Sequence, residues 1–268
     1  MKKEYSIGEV LIKAENVGLQ YQGRQILRDV NFEIRDITRP NVTQGQVVAL
    51  IGRSGLGKTQ LFKILAGLNK PSTGQVMITE DQHKVTPGEV GIIPQNYILF
   101  DHRTIEQNLH RGLSHCGKKY TTKDAKDIIN KYAEDFGLAE HLTKYPSQLS
   151  GGQRQRVSII QQILTENKFL LLDEPLSGLD RITSSKVVEM LLKVSLLNEY
   201  NTLIIVSHDI VTAMAIADTV MILAKEPDKE GATITNTIDL MQMGLAWDPD
   251  IMKNPEFHKV VSEVESLI

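Results

Sequence analysis

Two stretches of the 268-residue chain carry the residue types that grip phosphate. The first, GRSGLGKT, runs from Gly52 to Thr59. Its glycines at 52, 55 and 57 allow a tight turn whose amide hydrogens point inward at an anion. A helix beginning there would add partial positive charge at the same place. Lys58 has the reach for terminal phosphates, and Thr59 offers a hydroxyl to a magnesium ion. The second stretch, LSGGQRQR from Leu149 to Arg156, has a serine, two adjacent glycines and two arginines ahead of an apolar run. One nucleotide needs one such cradle, so the second demands a separate explanation.

A third stretch brings acid. FLLLDEP runs four apolar residues into Asp173 and Glu174. A buried strand of this kind delivers two carboxylates to its C-terminal end, where α/β sheets bind ligands. Asp173 would hold magnesium through water, and Glu174 would polarise an attacking water. The plain alternative, a solvated acidic turn, leaves the four preceding apolar residues unexplained.

These groups need elements to hold them. QVVALIG, just before the first glycine loop, is continuously apolar, as a strand buried on both faces of a parallel sheet should be. After the loop, KTQLFKILAGL has helical spacing, with Leu61, Leu65 and Leu68 on one face and Gly67 ending it. The first 36 residues read as two alternating strands joined at QGR, followed by a polar excursion over 36–44. QVMI and EVGIIP read as short strands. From about 96 to 165 the pattern is helical: Thr121 and Asp124 fit a capping box, and Ile128, Tyr132 and Phe136 form a stripe that reads as core packing. Strand patterns return in FLLLD, NTLIIVS, TVMILA and ATITNTI, and PEFHKVVSEVESLI reads as an amphipathic helix. Strands alternating with helices specify an α/β fold. The expected division is a core of 1–95 and 166–268 with residues 96–165 inserted.

Bulk properties narrow the function. The chain is 41% hydrophobic and 24% charged, with 30 basic and 33 acidic residues for a net charge of −3. Nothing there favours nucleic-acid binding by bulk charge. One cysteine, Cys116, excludes an intrachain disulfide and fits a reducing compartment. MKKEYSIGEV lacks the apolar core of a signal peptide, and no apolar run approaches the roughly 20 residues of a membrane span.

With these motifs in view, the chain resembles the ATP-binding subunits of ATP-binding cassette (ABC) transporters, from residue 10 to about 225 and in the family's motif order. Gly52, Arg53, Ser54, Gly55, Leu56, Gly57, Lys58 and Thr59 match the Walker A loop, with Gln60 next to it. FLLLDE matches Walker B, with Glu174 at the catalytic position. LSGGQ, carrying Ser150, Gly151, Gly152 and Gln153, matches the family signature without substitution. The resemblance further implies that Tyr21 stacks on adenine, that Gln95 meets magnesium and faces a membrane partner, that Asp180 communicates across a dimer, and that His208 is the switch histidine near the γ-phosphate. The other six histidines read as surface or packing residues.

The implied fold is a P-loop NTPase with a RecA-like core, a mixed sheet with an antiparallel β subdomain, and an inserted helical subdomain. The implied activity is magnesium-dependent ATP hydrolysis in a head-to-tail dimer, each site pairing one chain's Walker motifs with the other chain's signature. The implied partners are a second ATPase subunit, transmembrane permease subunits and an extracytoplasmic solute-binding protein, with no nucleic acid. The implied location is the cytoplasmic face of the inner or plasma membrane. A soluble ABC ATPase acting on DNA or ribosomes and a non-enzymatic ATP-gated module are the alternatives; the stretch between Thr59 and Asp173 is too short for the long coiled coil of the DNA-repair members, and Glu174 and His208 are both present. Import and export stay open, although the tail resembles those of nitrate, sulfonate and taurine importer ATPases. Four departures stand out: Gln60 replaces a hydroxyl residue, Gln161 an arginine, Pro94 a phenylalanine, and DITRPNVT is long.

Overall fold

The chain opens with a long hairpin. Strand β1 (Ser6–Tyr21) pairs antiparallel with β2 (Arg24–Thr38), and Tyr21 lies opposite Arg24. Only Gln22 and Gly23 form the turn, both with positive φ (50° and 77°). That is the two-residue turn whose twist matches the strands. Arg24, expected in the turn, begins the strand instead.

In this computed structural model the described residues are 4–39, 45–78, 83–176, 187–192, 194, 202–248 and 250–268. The excursion's residues 40–44 and Asp180 lie outside them. Ten strands form one sheet in the order β5-β4-β1-β2-β10-β9-β3-β8-β7-β6. The remaining strands are β3 (Gln46–Ile51), β4 (Thr73–Ile78), β5 (His83–Lys84), β6 (Val90–Ile93), β7 (Phe169–Asp173), β8 (Thr202–Ser207), β9 (Thr219–Lys225) and β10 (Ala232–Asp239). The limb β9-β3-β8-β7-β6 is parallel, and β5-β4-β1-β2 is antiparallel.

Alternation explains why the parallel strands are apolar throughout. In β7, Leu170 and Leu172 face one cluster while Phe169 and Leu171 face another. In β8, Leu203 and Ile205 share the first cluster, Ile204 and Val206 the second. Successive side chains of a strand point to opposite faces, so a sheet covered on both sides needs apolar residues at every position.

Helices cover those faces. Helix α1 (Lys58–Leu65) buries Leu61 and Leu65 but ends before Leu68, which is exposed. Gly67 takes φ 70°, and the N–H groups of Gly67 and Leu68 donate to the carbonyls of Ile64 and Lys63. This left-handed cap stops the helix before the last leucine of the expected face. Helices α2 (Ile105–Leu113), α3 (Thr122–Asp135) and α4 (Gly151–Ile163) share their apolar cluster with Ile93, Leu170 and Leu172 of the sheet. On α3 the fully buried stripe is Ala125, Ile129 and Ala133; Ile128 and Tyr132 pack at its flank, and only Phe136 of the expected stripe is buried. Thr121 caps α3 through the N–H of Asp124, but Asp124 accepts the Thr121 hydroxyl rather than returning a bond to the backbone. A capping box uses the longer Glu or Gln at that place.

Helices α5 (Ile210–Ile216) and α6 (Pro255–Leu267) enclose a third cluster. Helix α6 begins at Pro255, capped by Asn254, and buries Phe257, Val260, Val261 and Val264 against the β9 face. Among the described residues no helix is long and apolar enough to cross a membrane.

Candidate nucleotide-binding site

Strands β3, β7 and β8 run parallel and side by side. Their C-terminal ends therefore deliver the glycine loop, Asp173–Glu174 and Ser207–His208 to one edge of the sheet. There they line a cleft of about 450 Å³ with Tyr21, Ile26, Ser54, Gly55, Gly57, Lys58, Thr59, Gln60 and Gln95. Tyr21 reaches it from the tip of the β1–β2 hairpin, 65% exposed.

The loop is shaped by close packing as much as by turning. A side chain at Gly52 would place its Cβ 2.4 Å from the Leu223 carbonyl oxygen of β9. Gly57, with φ 96°, is the N-cap of α1 and supplies no side-chain acceptor, so the first amides of the helix stay available to an anion. Lys58 Nζ donates to the carbonyls of Gly52 (2.7 Å) and Arg53 (3.1 Å) and lies 3.9 Å from Glu174 Oε1. Burial pulls its pKa below the usual lysine value, and the charges of Glu174 and Asp173 partly oppose that. Desolvation and the neighbouring Glu174 push Asp173 above the usual aspartate value, against Lys58 and a hydrogen bond with Thr59. Both shifts describe a crowded, partly dry charge cluster in which added phosphate would meet Lys58 and added cation would meet Asp173.

Thr59 and Asp173 thus sit together as hydroxyl and carboxylate, with Gln95 in the same cleft. These are hard oxygen donors, and magnesium takes one or two of them together with phosphate oxygens and water. The residues fit that ion in the company of a nucleotide.

Glu174 adopts φ 50°. Its N–H donates to the Val206 carbonyl at 2.8 Å, and Oε2 lies 2.6 Å from His208 Nδ1. Gln60, the first departure, accepts a hydrogen bond from Asn69 Nδ2 at 3.1 Å, which leaves its own amide N–H groups for the cleft.

A family model described as ABC transporter matches residues 36–177, more than half of the chain. The chain belongs to the ABC transporter family. Among its relatives is the maltose/maltodextrin import ATP-binding protein MalK of Mannheimia succiniciproducens, 36% identical over 217 residues that cover 79% of this chain and 55% of the relative. The spermidine/putrescine import ATP-binding protein PotA of Spiroplasma citri is 33% identical over 80% of this chain and 59% of its own length. The bicarbonate transport ATP-binding protein CmpC of Synechococcus elongatus is 31% identical over 89% of this chain and 34% of its own. The chain spans about half the length of the first two and less of the third. Among solved structures, CbiO1 of Clostridium perfringens, part of the ABC transporter complex CbiONQ, shares the fold with a TM-score of 0.73 at 22% identity, covering 96% of this chain and 99% of that one. An ATP-binding cassette dimer in a post-hydrolysis state with ADP and Pi shares it with a TM-score of 0.69 at 23% identity, over 86% of this chain and 99% of that one.

In this ABC family chain the signature does not line the cleft. Ser150 is the N-cap of α4, Gly151 and Gly152 open the helix, and Gln153 closes a capping box with Ser150. Gly52, Arg53 and Leu56 also fall outside the cleft lining, as parts of the loop's scaffold. Gln161 is buried and donates to the Asn108 carbonyl at 3.2 Å, so this departure still ties α4 to α2. Sequence reasoning missed Ile26, which packs where a Cβ on Gly57 would sit (2.8 Å). Its signal was its place just after the hairpin turn that carries Tyr21. It also missed His141, which reads as an ordinary packing residue yet meets Gln153.

Proposed function

We propose that the chain is the ATP-hydrolysing subunit of an ABC transporter, dimerising head-to-tail on ATP and driving solute movement through a separate permease. The observation that carries this is the gathering of Lys58, Thr59, Asp173, Glu174 and His208 in one cleft with Tyr21 at its rim. Tyr21 stacks on the base. The loop amides and Lys58 hold the phosphates. Thr59, Asp173 and Gln95 would hold magnesium, which when bound would neutralise charge on the phosphates. Glu174 accepts from the attacking water and orients it, and His208 keeps the Glu174 carboxylate aimed while its own ring borders the γ-phosphate.

Ser150, Gly151 and Gly152 act on the nucleotide of the partner copy. Their absence from the cleft's own lining supports that reading, because one chain then holds only half of each site. The γ-phosphate is met from both sides only when two copies close, so ATP favours the closed dimer and its hydrolysis releases it. Residues 96–165 form the inserted unit that carries the signature. Asp180 is assigned to communication across the dimer by its motif alone.

The permease surface lies beside Gln95. A groove of about 710 Å³ is lined by Pro94, Ile98, Phe100, Arg111, His115 and Gln161. Ile98 is 73% exposed and Phe100 42%. Large apolar side chains left in water beside a groove mark a protein contact, and here the partner is a cytoplasmic segment of the permease. The chain would then work at the cytoplasmic face of the membrane, with a solute-binding protein completing the system for import.

The test is direct. Purified chain should hydrolyse ATP only with magnesium, with a rate rising faster than linearly in protein concentration, and Ile98→Asp should abolish co-purification with the permease while leaving that basal rate intact. A rate strictly proportional to protein concentration would overturn the composite site.

A further inference from the structure

His141 lies in the 3-10 turn Ala139–His141, is buried, and is bracketed by two nitrogen donors. Its Nε2 is 2.9 Å from Gln153 Nε2, and its Nδ1 is 2.8 Å from Lys144 Nζ. The Gln153 amide cannot turn round to suit the ring. Its Oε1 already accepts the Ser150 N–H at 2.8 Å, while the Gln153 N–H donates to the Ser150 hydroxyl oxygen at 3.3 Å. The amide NH2 must therefore point at His141, and it needs a lone pair there. A neutral imidazole has one acceptor nitrogen. Gln153 and Lys144 compete for it. The Gln153 amide is pinned by Ser150, whereas the Lys144 ammonium rides a flexible stem and the Glu140 carboxylate, 3.5 Å from Nε2, is 82% exposed, so both can turn to water and leave Nε2 to accept from Gln153.

Resting on the reading of Ser150 as half of a composite site, we propose that His141 is a positioning residue for the signature: accepting from Gln153 through Nε2, it locks the Gln153–Ser150 capping box and so aims the start of α4 at the partner's nucleotide. His141 touches no nucleotide. It sets the orientation of Gln153, which fixes the Ser150 backbone, which places the Ser150 hydroxyl and the Gly151 and Gly152 amides. The turn holding His141 is itself tied to α2, since Ile105 and Glu106 donate to the carbonyls of Lys144 and Leu142. The helix that borders the proposed permease groove is therefore linked to the signature through His141, in addition to the Gln161 contact farther along α4.

The test compares His141→Leu, which removes the acceptor, with His141→Gln, which restores a carbonyl oxygen without a ring. In the full chain without nucleotide, hydrogen exchange over residues 149–154 should accelerate in His141→Leu and stay near wild type in His141→Gln. In the ATPase assay, His141→Leu should lower kcat roughly tenfold with KM within about twofold, as for an interaction made only in the closed state. His141→Gln should recover most of that loss. Unchanged exchange at 149–154 in His141→Leu, or equal loss of kcat in both variants, overturns the anchoring role. Because exchange is read without nucleotide, a wild-type chain that fails to hydrolyse ATP overturns the functional reading separately.

Discussion

Glu174 and His208 meet at the ends of adjacent parallel strands, with Glu174 Oε2 2.6 Å from His208 Nδ1 and 3.3 Å from the His208 backbone N–H. A carboxylate only accepts, so Nδ1 carries the proton and the other ring nitrogen is left for a different partner. Glu174 holds this place at φ 50°, a backbone state that costs a non-glycine residue roughly 1–3 kcal/mol. Strain of this kind persists where surrounding bonds over-determine it, here through the N–H of Glu174 on the Val206 carbonyl.

Glu174→Gln should bind ATP as wild type does and hydrolyse it at least ~10-fold more slowly, as expected for loss of the group that orients water. Phosphate release and equilibrium binding of a fluorescent ATP analogue measure the two properties separately. Turnover close to wild type would remove Glu174 from the chemistry.

Replacing His208 by Ala frees the Glu174 carboxylate to turn toward Lys58, now 3.9 Å away. Hydrolysis should fall about tenfold or more while nucleotide affinity changes less than about twofold, because positioning is lost while the loop amides and Lys58 still hold the phosphates. If affinity and turnover fall by the same factor, His208 contributes to ground-state binding instead.

Ser150→Arg should abolish hydrolysis and leave ATP binding to the monomer unchanged, since Ser150 lies outside the cleft that its own chain forms. Loss of the N-cap should also cost about 1 kcal/mol of stability, seen as a modest fall in melting temperature. ATP binding weakened in parallel with turnover would contradict a site shared between copies.

What the sequence revealed follows physical rules with short range. Val47 to Ile51 and Phe169 to Leu172 are legible as buried strands because a sheet covered on both faces requires apolar residues at each position. Lys58, Thr59, Asp173, Glu174 and His208 are legible because each ends or directly follows such a strand, or opens the next helix. Leu68 is misplaced by simple periodicity because the left-handed cap at Gly67 ends α1 early. The stripe Ala125, Ile129 and Ala133 is overlooked because two small alanines flank Ile129, while the bulkier Ile128, Tyr132 and Phe136 define a competing pattern. His141 and Asp218 are invisible in the sequence for another reason: their partners Gln153, Arg39 and Trp247 are brought to them only by tertiary packing.

Asp218, at the head of β9, is 2% exposed and collects donors from three segments. The Val47 N–H donates to Oδ2 at 2.7 Å, Trp247 Nε1 donates to Oδ1, and an Arg39 guanidinium nitrogen lies 3.5 Å from Oδ1 with its carbon 3.7 Å from the centre of the Trp247 ring. Desolvation outweighs these donors and pushes the carboxyl from 3.8 up to about 6. The folded chain therefore keeps a proton that the unfolded chain has released between those values. The stability this group contributes is fully present below its unfolded pKa and is lost as pH rises through its folded one, an amount on the order of 3 kcal/mol. Asp218→Asn should remove that share of the slope between about pH 4 and 6. It should also lower stability near neutral pH by about 1–3 kcal/mol, because the amide NH2 would face groups that are themselves donors. Urea titrations followed by fluorescence of Trp247, the chain's one tryptophan, read both effects at the cluster itself. Wild type and Asp218→Asn with the same pH slope would show that Asp218 stays ionised in the folded chain and that Arg39 and the two N–H donors outweigh its burial.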